Sequence, residues 1–265
     1  MEVICYSCGG GEKPENTIEA IQHCQNVNPD WRIEMDLQMS RDGEVVLFHD
    51  TDTKTKTGVK HCIADLNLSE IKQLNCGYNF KLKNEYPYRK NAVKIPTLKE
   101  VCDFFPNAKL LLDIHTKKRE AIDEIVSIIE QRNMQSNIVV VSHYDNVLLR
   151  FKKKRPNWKY GAATMETAKM VYSSFLFLDR FFPVRSDILI VPVKFGIMKL
   201  LTSRVSNHVS KRNKELWVWL ELWIWLKKGK QISTIKSRQE LNKLKKKKVD
   251  GIFTEYPERL NKELT

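Results

Sequence analysis

The 265-residue chain is poor in the two residues that interrupt regular structure, with ten glycines and nine prolines. That scarcity excludes a collagen-like or low-complexity chain, and a hydrophobic content of 42 % excludes a disordered one. No uninterrupted apolar run approaches the roughly 20 residues of a membrane-spanning helix. The beginning does not read as a secretory signal either. Met1-Glu2 leads straight into Val3-Ile4-Cys5-Tyr6, a strand pattern, with no charged opening followed by a long apolar stretch. The six cysteines (Cys5, Cys8, Cys24, Cys62, Cys76, Cys102) form one CxxC, Cys5 to Cys8, and no second pair or histidine cluster completes a four-ligand zinc site. They read as reduced, mostly buried thiols of a cytoplasmic protein, one able to lie peripherally on a membrane. Acidic residues are outnumbered: 32 Asp and Glu face 45 Lys and Arg, a net charge of +13.

What is present is an alternation of strand-like and helical segments. Val3–Tyr6, Trp31–Met39, Lys109–Ile114, Ile138–Val141, Trp158–Ala163, Ile188–Val193, Glu215–Trp219 and Gly251–Thr254 read as about eight strands. Asp42-Gly43 turns the second into a short partner, Glu44–Phe48. Helical spacing lies between them at Thr17–Asn26, Leu66–Leu74, Thr97–Phe105, Glu120–Gln131, Asn146–Lys153 and Arg238–Lys247. Asn16 or Thr17 caps the first of these. The pattern is α/β and favours a parallel barrel, although periodicity alone also allows a doubly wound sheet. Asn75–Lys94 reads as a loop or small excursion.

Two stretches are oily. Phe175–Ile197 is interrupted by Asp179, Arg180, Arg185, Asp187 and Lys194, and Leu216–Leu226 only by Glu221. They read as buried barrel strand and helix, or as a surface that touches lipid. Lysine concentrates at Lys152–Arg155, Lys227–Lys230 and Lys245–Lys248. Such clusters are solvated surface, or they attract anionic headgroups at about 1 kcal/mol per Lys or Arg. No aromatic-basic motif supports nucleic acid as a partner.

The chemistry concentrates in acids. Glu34 and Asp36 are two apart on an apparent strand, so both leave one face. Side by side they repel, and a hard divalent cation is the economical compensation. Asp113 ends the run Lys109–Ile114, where a barrel gathers its functional residues. Spacing alone equally allows solvent-facing acids on an edge strand. His49-Asp50 follows the strand Glu44–Phe48 and offers a proton donor or acceptor, or a structural turn histidine. Gly9-Gly10-Gly11 would let backbone amides approach a phosphate, or is a simple flexible loop.

In order, GGGEKPENTIEAI, IEMDLQMSRDGEVVLFHDTDTKTKTG, DLNLSEIKQL, IPTLKEV, LLLDI and VDGIFTEYP resemble the glycerophosphodiester phosphodiesterase family, from about Ile4 to Leu260. The oily segment gives a closer resemblance to its eukaryotic lysophospholipase D-like branch. The resemblance implies a single TIM-type (β/α)8 barrel domain over 1–265, with an insertion at 51–95. It implies metal ligands Glu34, Asp36 and Asp113 for Mg²⁺ or Ca²⁺, and His49 as one of two catalytic histidines. The implied reaction is hydrolysis of glycerophosphodiesters or lysophospholipids. One imidazole takes a proton from the attacking group and the other gives one to the leaving alkoxide.

The chain departs from the motif at its first strand. The family's His-Arg-Gly-Gly is Tyr6-Ser7-Cys8-Gly9, and a lysine beside the third ligand is His115. Tyr6 in place of histidine, and His115 in place of lysine, are thus the remaining candidates at the catalytic positions. An acid/base partner contributes about 10²–10⁴-fold, so a weakened hydrolase and a catalytically inactive member that binds phosphodiesters or anionic membranes both follow. Leu220–Leu226 also runs on as apolar sequence where the family has a polar turn.

Overall fold

The computed structural model describes residues 1–195, 197–219 and 238–264. The oily continuation Leu220–Leu226 and the basic run Lys227–Lys230 lie outside the described residues. The chain falls into two compact units, one of residues 6–138 and one that joins residues 1–5 to 139–265. Strand β1 (Glu2–Cys5) belongs to the second of these.

The unit of residues 6–138 begins with helix α1 (Ile18–Val27). Thr17 caps it, its hydroxyl accepting the Ala20 N–H at 3.1 Å, and Ala20, Ile21 and Cys24 turn inward. Strand β2 (Arg32–Met39) is buried on both faces apart from the half-buried Gln38, as a strand inside an α/β fold is. Gly43, at φ 93°, takes the left-handed turn that returns the chain as β3 (Val45–Leu47), antiparallel to β2 with Leu47 opposite Leu37. An excursion follows, with the short helices α2 (Lys54–Thr57) and α3 (Leu68–Ile71). Its Ile63, Ile71, Cys76, Val93 and Ile95 form a small core with Val46 and Phe48. Helix α4 (Leu98–Phe104) starts on a reciprocal Thr97–Glu100 cap. Strand β4 (Leu110–Ile114) lies parallel to β2, and α5 (Arg119–Gln131) buries its apolar stripe.

The other unit continues with β5 (Ile138–Val141), α6 (Asp145–Lys154), β6 (Lys159–Tyr160), α7 (Thr164–Phe175) and β7 (Ile188–Pro192). The short hairpin of β8 (Lys194–Phe195) and β9 (Met198–Lys199), α8 (Ser203–Ser210) and β10 (Glu215–Trp219) follow. Helix α9 (Arg238–Lys246), β11 (Gly251–Thr254) and α10 (Pro257–Leu264) close it. Neighbouring strands β1, β11, β10 and β7 run parallel in that order. Trp217 packs so closely over Gly251 that a Cβ there would lie 2.6 Å from its ring, which is why β11 opens on glycine.

Some expected elements shrink. The strand expected over Trp158–Ala163 is reduced to Lys159–Tyr160, and the helix over Leu66–Leu74 to one turn. Helices α7 and α8 escaped the hydrophobic pattern: α8, for example, buries only two apolar residues, Val205 and Val209. The oily run splits. Ile188, Leu189 and Val191 are buried in β7, whereas Phe175–Leu178, Phe181 and Phe182 are exposed. Five cysteines are buried and Cys62 is exposed, all six as free thiols. Among the described residues no helix is long and apolar enough to cross a membrane.

Candidate active site at the ends of β2 and β4

Alternation on β2 sends Glu34, Asp36 and Gln38 to one face, and the parallel register sets Asp113 of β4 beside Asp36. His115 follows two residues beyond Asp113 on the same face, its N–H bonded to the Leu37 carbonyl at 2.9 Å. Carboxylate oxygens of Glu34, Asp36 and Asp113 all lie within 4.8 Å of one another. Glu34 and Asp36 are 2 % and 1 % exposed.

Their polar atoms are unequally satisfied. Asp36 Oδ2 accepts from the Asn16 amide at 2.7 Å, the Asn16 carbonyl accepts the Asp36 N–H at 2.9 Å, and Oδ1 faces His115 Nε2 at 3.1 Å. Glu34 Oε2 accepts the Ser7 N–H, while Oε1 is buried with no hydrogen-bond partner. Asp113 Oδ1 is likewise buried and unpartnered, and its Oδ2 lies 3.4 Å from His115 Nε2. Burial, then the charges of Asp36 and Asp113, push the Glu34 carboxyl well above its usual range. Burial pushes Asp36 the same way, but the hydrogen bond from His115 and the nearby charge of His49 outweigh it and hold Asp36 low. Burial opposes the charge on His115. Its contacts with Asp113 and Asp36 overcome this and raise it to about 11.

His49 enters from the end of β3. The Phe48 N–H bonds the Asp36 carbonyl at 2.9 Å, and the Gln38 amide donates to the carbonyls of Phe48 at 2.9 Å and Asp50 at 2.8 Å. His49 Nδ1 pairs with Asp50 Oδ1 at 2.9 Å, and this bond raises the imidazole above its ordinary value. Burial opposes ionisation of Asp50, but the bonds from His49 and Thr55 bring it down to about 2. The His49 and His115 rings lie 5.0 Å apart, and Asp36, His49 and His115 offer ligand-type atoms within 4.8 Å of one another. On the same side, Lys56 of α2 pairs with Glu15 at 2.8 Å.

The turn Tyr6–Cys8 completes the site. Ser7 and Cys8 sit at φ 44° and 60°, in the left-handed region that non-glycine residues seldom enter. This conformation aims the Ser7 N–H at Glu34. The amides of Gly9 and Gly10 are taken up by the Tyr6 carbonyl at 2.8 and 3.3 Å, which removes them from the phosphate cradle that the glycine run suggested. Burial, then the charges of Glu34 and Asp36, drive the Tyr6 hydroxyl well above its usual value near 10.

All six expected site residues therefore belong to one neighbourhood. The carboxylates and His115 share one face of β2 and β4, His49 stands beside His115, and Tyr6 feels the charge of Glu34, Asp36 and Asp113. Three contributors escaped the sequence reading. Asn16 serves as a clamp on Asp36 while Thr17 caps α1, and a left-handed φ of 56° places it there. Gln38 completes the i, i+2, i+4 row on β2, which was the signal available for it. Lys56 lies in the excursion and carried no signal. Three close carboxylates with two orphaned oxygens fit a hard divalent cation.

Functional side chains gathered at strand ends of a parallel α/β fold define a class, the TIM-type (β/α)8 barrels. The glycerophosphodiester phosphodiesterase domain of a Mycobacterium tuberculosis protein shares the fold, with a TM-score of 0.80 at 16 % identity over 100 % of this chain and 99 % of that one. So does an Oleispira antarctica phosphodiesterase in complex with the product sn-glycerol-3-phosphate, with a TM-score of 0.75 at 19 % identity over 100 % and 96 %. The model of the glycerophosphoryl diester phosphodiesterase family matches residues 8–259, and the chain belongs to that family. Lysophospholipase D GDPD1 of Homo sapiens is 24 % identical over 268 residues, 97 % of this chain and 84 % of the relative.

Proposed function

We propose that the protein hydrolyses the phosphodiester bond of glycerophosphodiesters or lysophospholipids, with a divalent cation, Mg²⁺ or Ca²⁺, held by Glu34, Asp36 and Asp113. The observation that carries this reading is the group of three carboxylates within 4.8 Å beside two imidazoles 5.0 Å apart. When bound, the cation supplies the positive charge that a phosphodiester needs as negative charge builds on its oxygens. His49, oriented through Nδ1 by Asp50, presents its other ring nitrogen for proton transfer. His115 stands where the family motif has lysine. It lies against Asp36 and Asp113, whose contacts hold it protonated, and next to His49, so it brings a fixed positive charge to the site. Lys56 adds a further cation on the His49 side.

The test compares release of choline or ethanolamine from glycerophospholipids and lysophospholipids with Mg²⁺, Ca²⁺ and a chelator. Turnover that needs the cation and falls about 10²–10⁴-fold in both His49→Ala and His115→Ala supports a reading in which His49 moves the proton and His115 supplies charge. Turnover insensitive to both substitutions overturns it.

One observation favours a second reading, a member that binds phosphodiesters without turning them over. Tyr6 stands where the family motif has histidine, and its hydroxyl is held too weakly acidic to exchange protons near neutral pH. On that reading calorimetry detects the cation but no variant short of Tyr6→His with Ser7→Arg shows turnover. Activity of the parent chain excludes it.

A further inference from the structure

The segment between α7 and β7 inverts the usual order of a folded surface. Leu176, Phe177 and Phe181 are 69 %, 72 % and 61 % exposed, with Phe175 and Phe182 exposed beside them. Isolated exposed apolar residues are ordinary, but a run of aromatics within eight positions is a patch that marks interaction.

The segment is a built turn. The N–H groups of Leu176, Phe177 and Leu178 bond back to the Ser173 and Ser174 carbonyls, and a 3₁₀ turn, Asp179–Phe181, follows. Phe177 takes a left-handed φ of 62°, a costly conformation for a bulky residue, and thereby faces solvent. The Asp179 carboxylate turns inward to Arg204 and to His208 Nδ1, the latter at 2.9 Å. Farther on, the Glu166 carboxylate accepts the N–H groups of Arg185 and Ser186 at 2.6 and 2.9 Å. The fold therefore pins both ends of the turn while leaving its aromatics outside.

The charge around these side chains has one sign. The segment's acid, Asp179, is buried, and what accompanies the aromatics is Arg180, stacked 4.5 Å over the Phe181 ring, and Arg204, 4.5 Å over the Phe177 ring. Phe181, Phe182 and Met165 also wall a cavity of about 650 Å³ that Lys169 and Arg185 line as well. Asp145, Glu166 and Asp187 line it too, each engaged: Glu166 holds Ser186, Asp187 pairs with Lys214, and Asp145 accepts the Met165 N–H. Aromatic and aliphatic side chains set among arginines match the interface of a bilayer with anionic headgroups, apolar below and negative above. A second copy of the chain fits less well, because two faces carrying arginines, on chains of +13 each, repel.

We propose that Phe175–Phe182, with Arg180 and Arg204, is a docking surface for an anionic membrane. Phe177 and Phe181 enter the headgroup boundary while the arginines meet lipid phosphates.

Vesicle flotation tests this with the full chain, phosphatidylcholine vesicles and vesicles of phosphatidylcholine mixed with phosphatidylserine. The parent binds the anionic vesicles at least about tenfold more tightly than the neutral ones, and added salt weakens that binding. Phe177→Ser with Phe181→Ser lowers binding to anionic vesicles about tenfold or more, with an unchanged circular dichroism spectrum. Arg180→Glu, which keeps the aromatics, narrows the difference between the two vesicle types. The proposal is overturned if the parent binds neither vesicle, or binds both equally. It is also overturned if the double variant binds like the parent. A concentration-dependent dimer in light scattering that the double variant abolishes would assign the face to a second copy and overturn it too.

Discussion

The ends of β2 and β4 and the turn after α7 break the rule of burial in opposite directions. In the first, Glu34 and Asp36 are carboxylates sealed at 2 % and 1 % exposure; in the second, Phe177 and Phe181 are aromatics left 72 % and 61 % open. Each arrangement costs stability, the one by desolvating charge and the other by forgoing hydrophobic burial. The compensation differs. Around the carboxylates it is largely internal, through Asn16, the Ser7 amide and His115, and incomplete only at two orphaned oxygens. Around the aromatics, two stacked guanidiniums aside, the fold offers little to bury them. A site with unbalanced negative charge calls for a cation. A surface that lacks apolar cover calls for a partner with area.

The comparison breaks most readily at Asp36. Asp36→Asn keeps the size and the Asn16 contact but removes charge from the centre of the cluster. Turnover is expected to fall roughly a thousandfold, several kcal/mol of barrier, and calorimetric Mg²⁺ or Ca²⁺ binding to disappear. A variant with parental turnover would place the chemistry elsewhere.

Glu34→Gln sharpens the same point through stability. In a chelator the parent holds three close acids with only the His115 charge and the raised Glu34 carboxyl to offset their repulsion. The substitution keeps an oxygen for the Ser7 N–H and directs an amide toward Asp36 and Asp113. Urea unfolding of the metal-free protein should show a gain of about 1–3 kcal/mol, and added cation should reverse the ranking. A metal-free variant less stable than the parent would mean that the Glu34 carboxyl makes a contact that the amide cannot replace.

These two regions also differ in how far sequence reveals them. Glu34 and Asp36 were legible because strand alternation fixes which side chains share a face, and Asp113 and His49 because each closes a strand. The motif order, confirmed by the family match, carried the barrel fold. Asn16 was not legible as a clamp, since its role depends on a left-handed φ that an Asn-Thr pair does not announce. Lys56 reaches the site through an excursion whose path no periodicity encodes. The oily run Phe175–Ile197 was legible as apolar but not as divided. Composition does not show that a strand starts at Ile188 while the preceding residues turn outward on an inward-facing Asp179.

Glu166 tests whether the aromatic turn is held in place as described. Burial opposes its charge, but the Ser186 hydroxyl and the N–H groups of Ser186 and Arg185 prevail and keep its carboxyl below the usual range. A depressed carboxyl adds stability that is fully present above its unfolded value near 4.3 and is lost as pH falls through the folded one. Glu166→Gln should therefore be less stable than the parent by about 1 kcal/mol at pH 7, a modest figure because the group is partly open to solvent. The gap should narrow as pH falls below the unfolded value near 4.3 and close once the folded carboxyl is protonated. A gap that does not narrow on acidification would assign the loss to packing.

The smallest expected effect lies at Phe177. Removing a buried phenylalanine such as Phe151 costs about 3–5 kcal/mol, because a cavity forms and its contacts are lost. Phe177 leaves no cavity, and its φ of 62° suits glycine better than any side chain. Against that relief stand the Arg204 stacking, worth about 0.5–1 kcal/mol at an exposed site, and the greater freedom of glycine in the unfolded chain, about as much again. The left-handed strain released is about 1–2 kcal/mol, so the opposing quantities nearly cancel. Phe177→Gly should thus change unfolding free energy by less than about 1 kcal/mol, read from urea denaturation, while its binding to anionic vesicles falls. Stability lost on the scale of Phe151→Ala would show that the ring is part of the protein's own core and not of a surface waiting for a membrane.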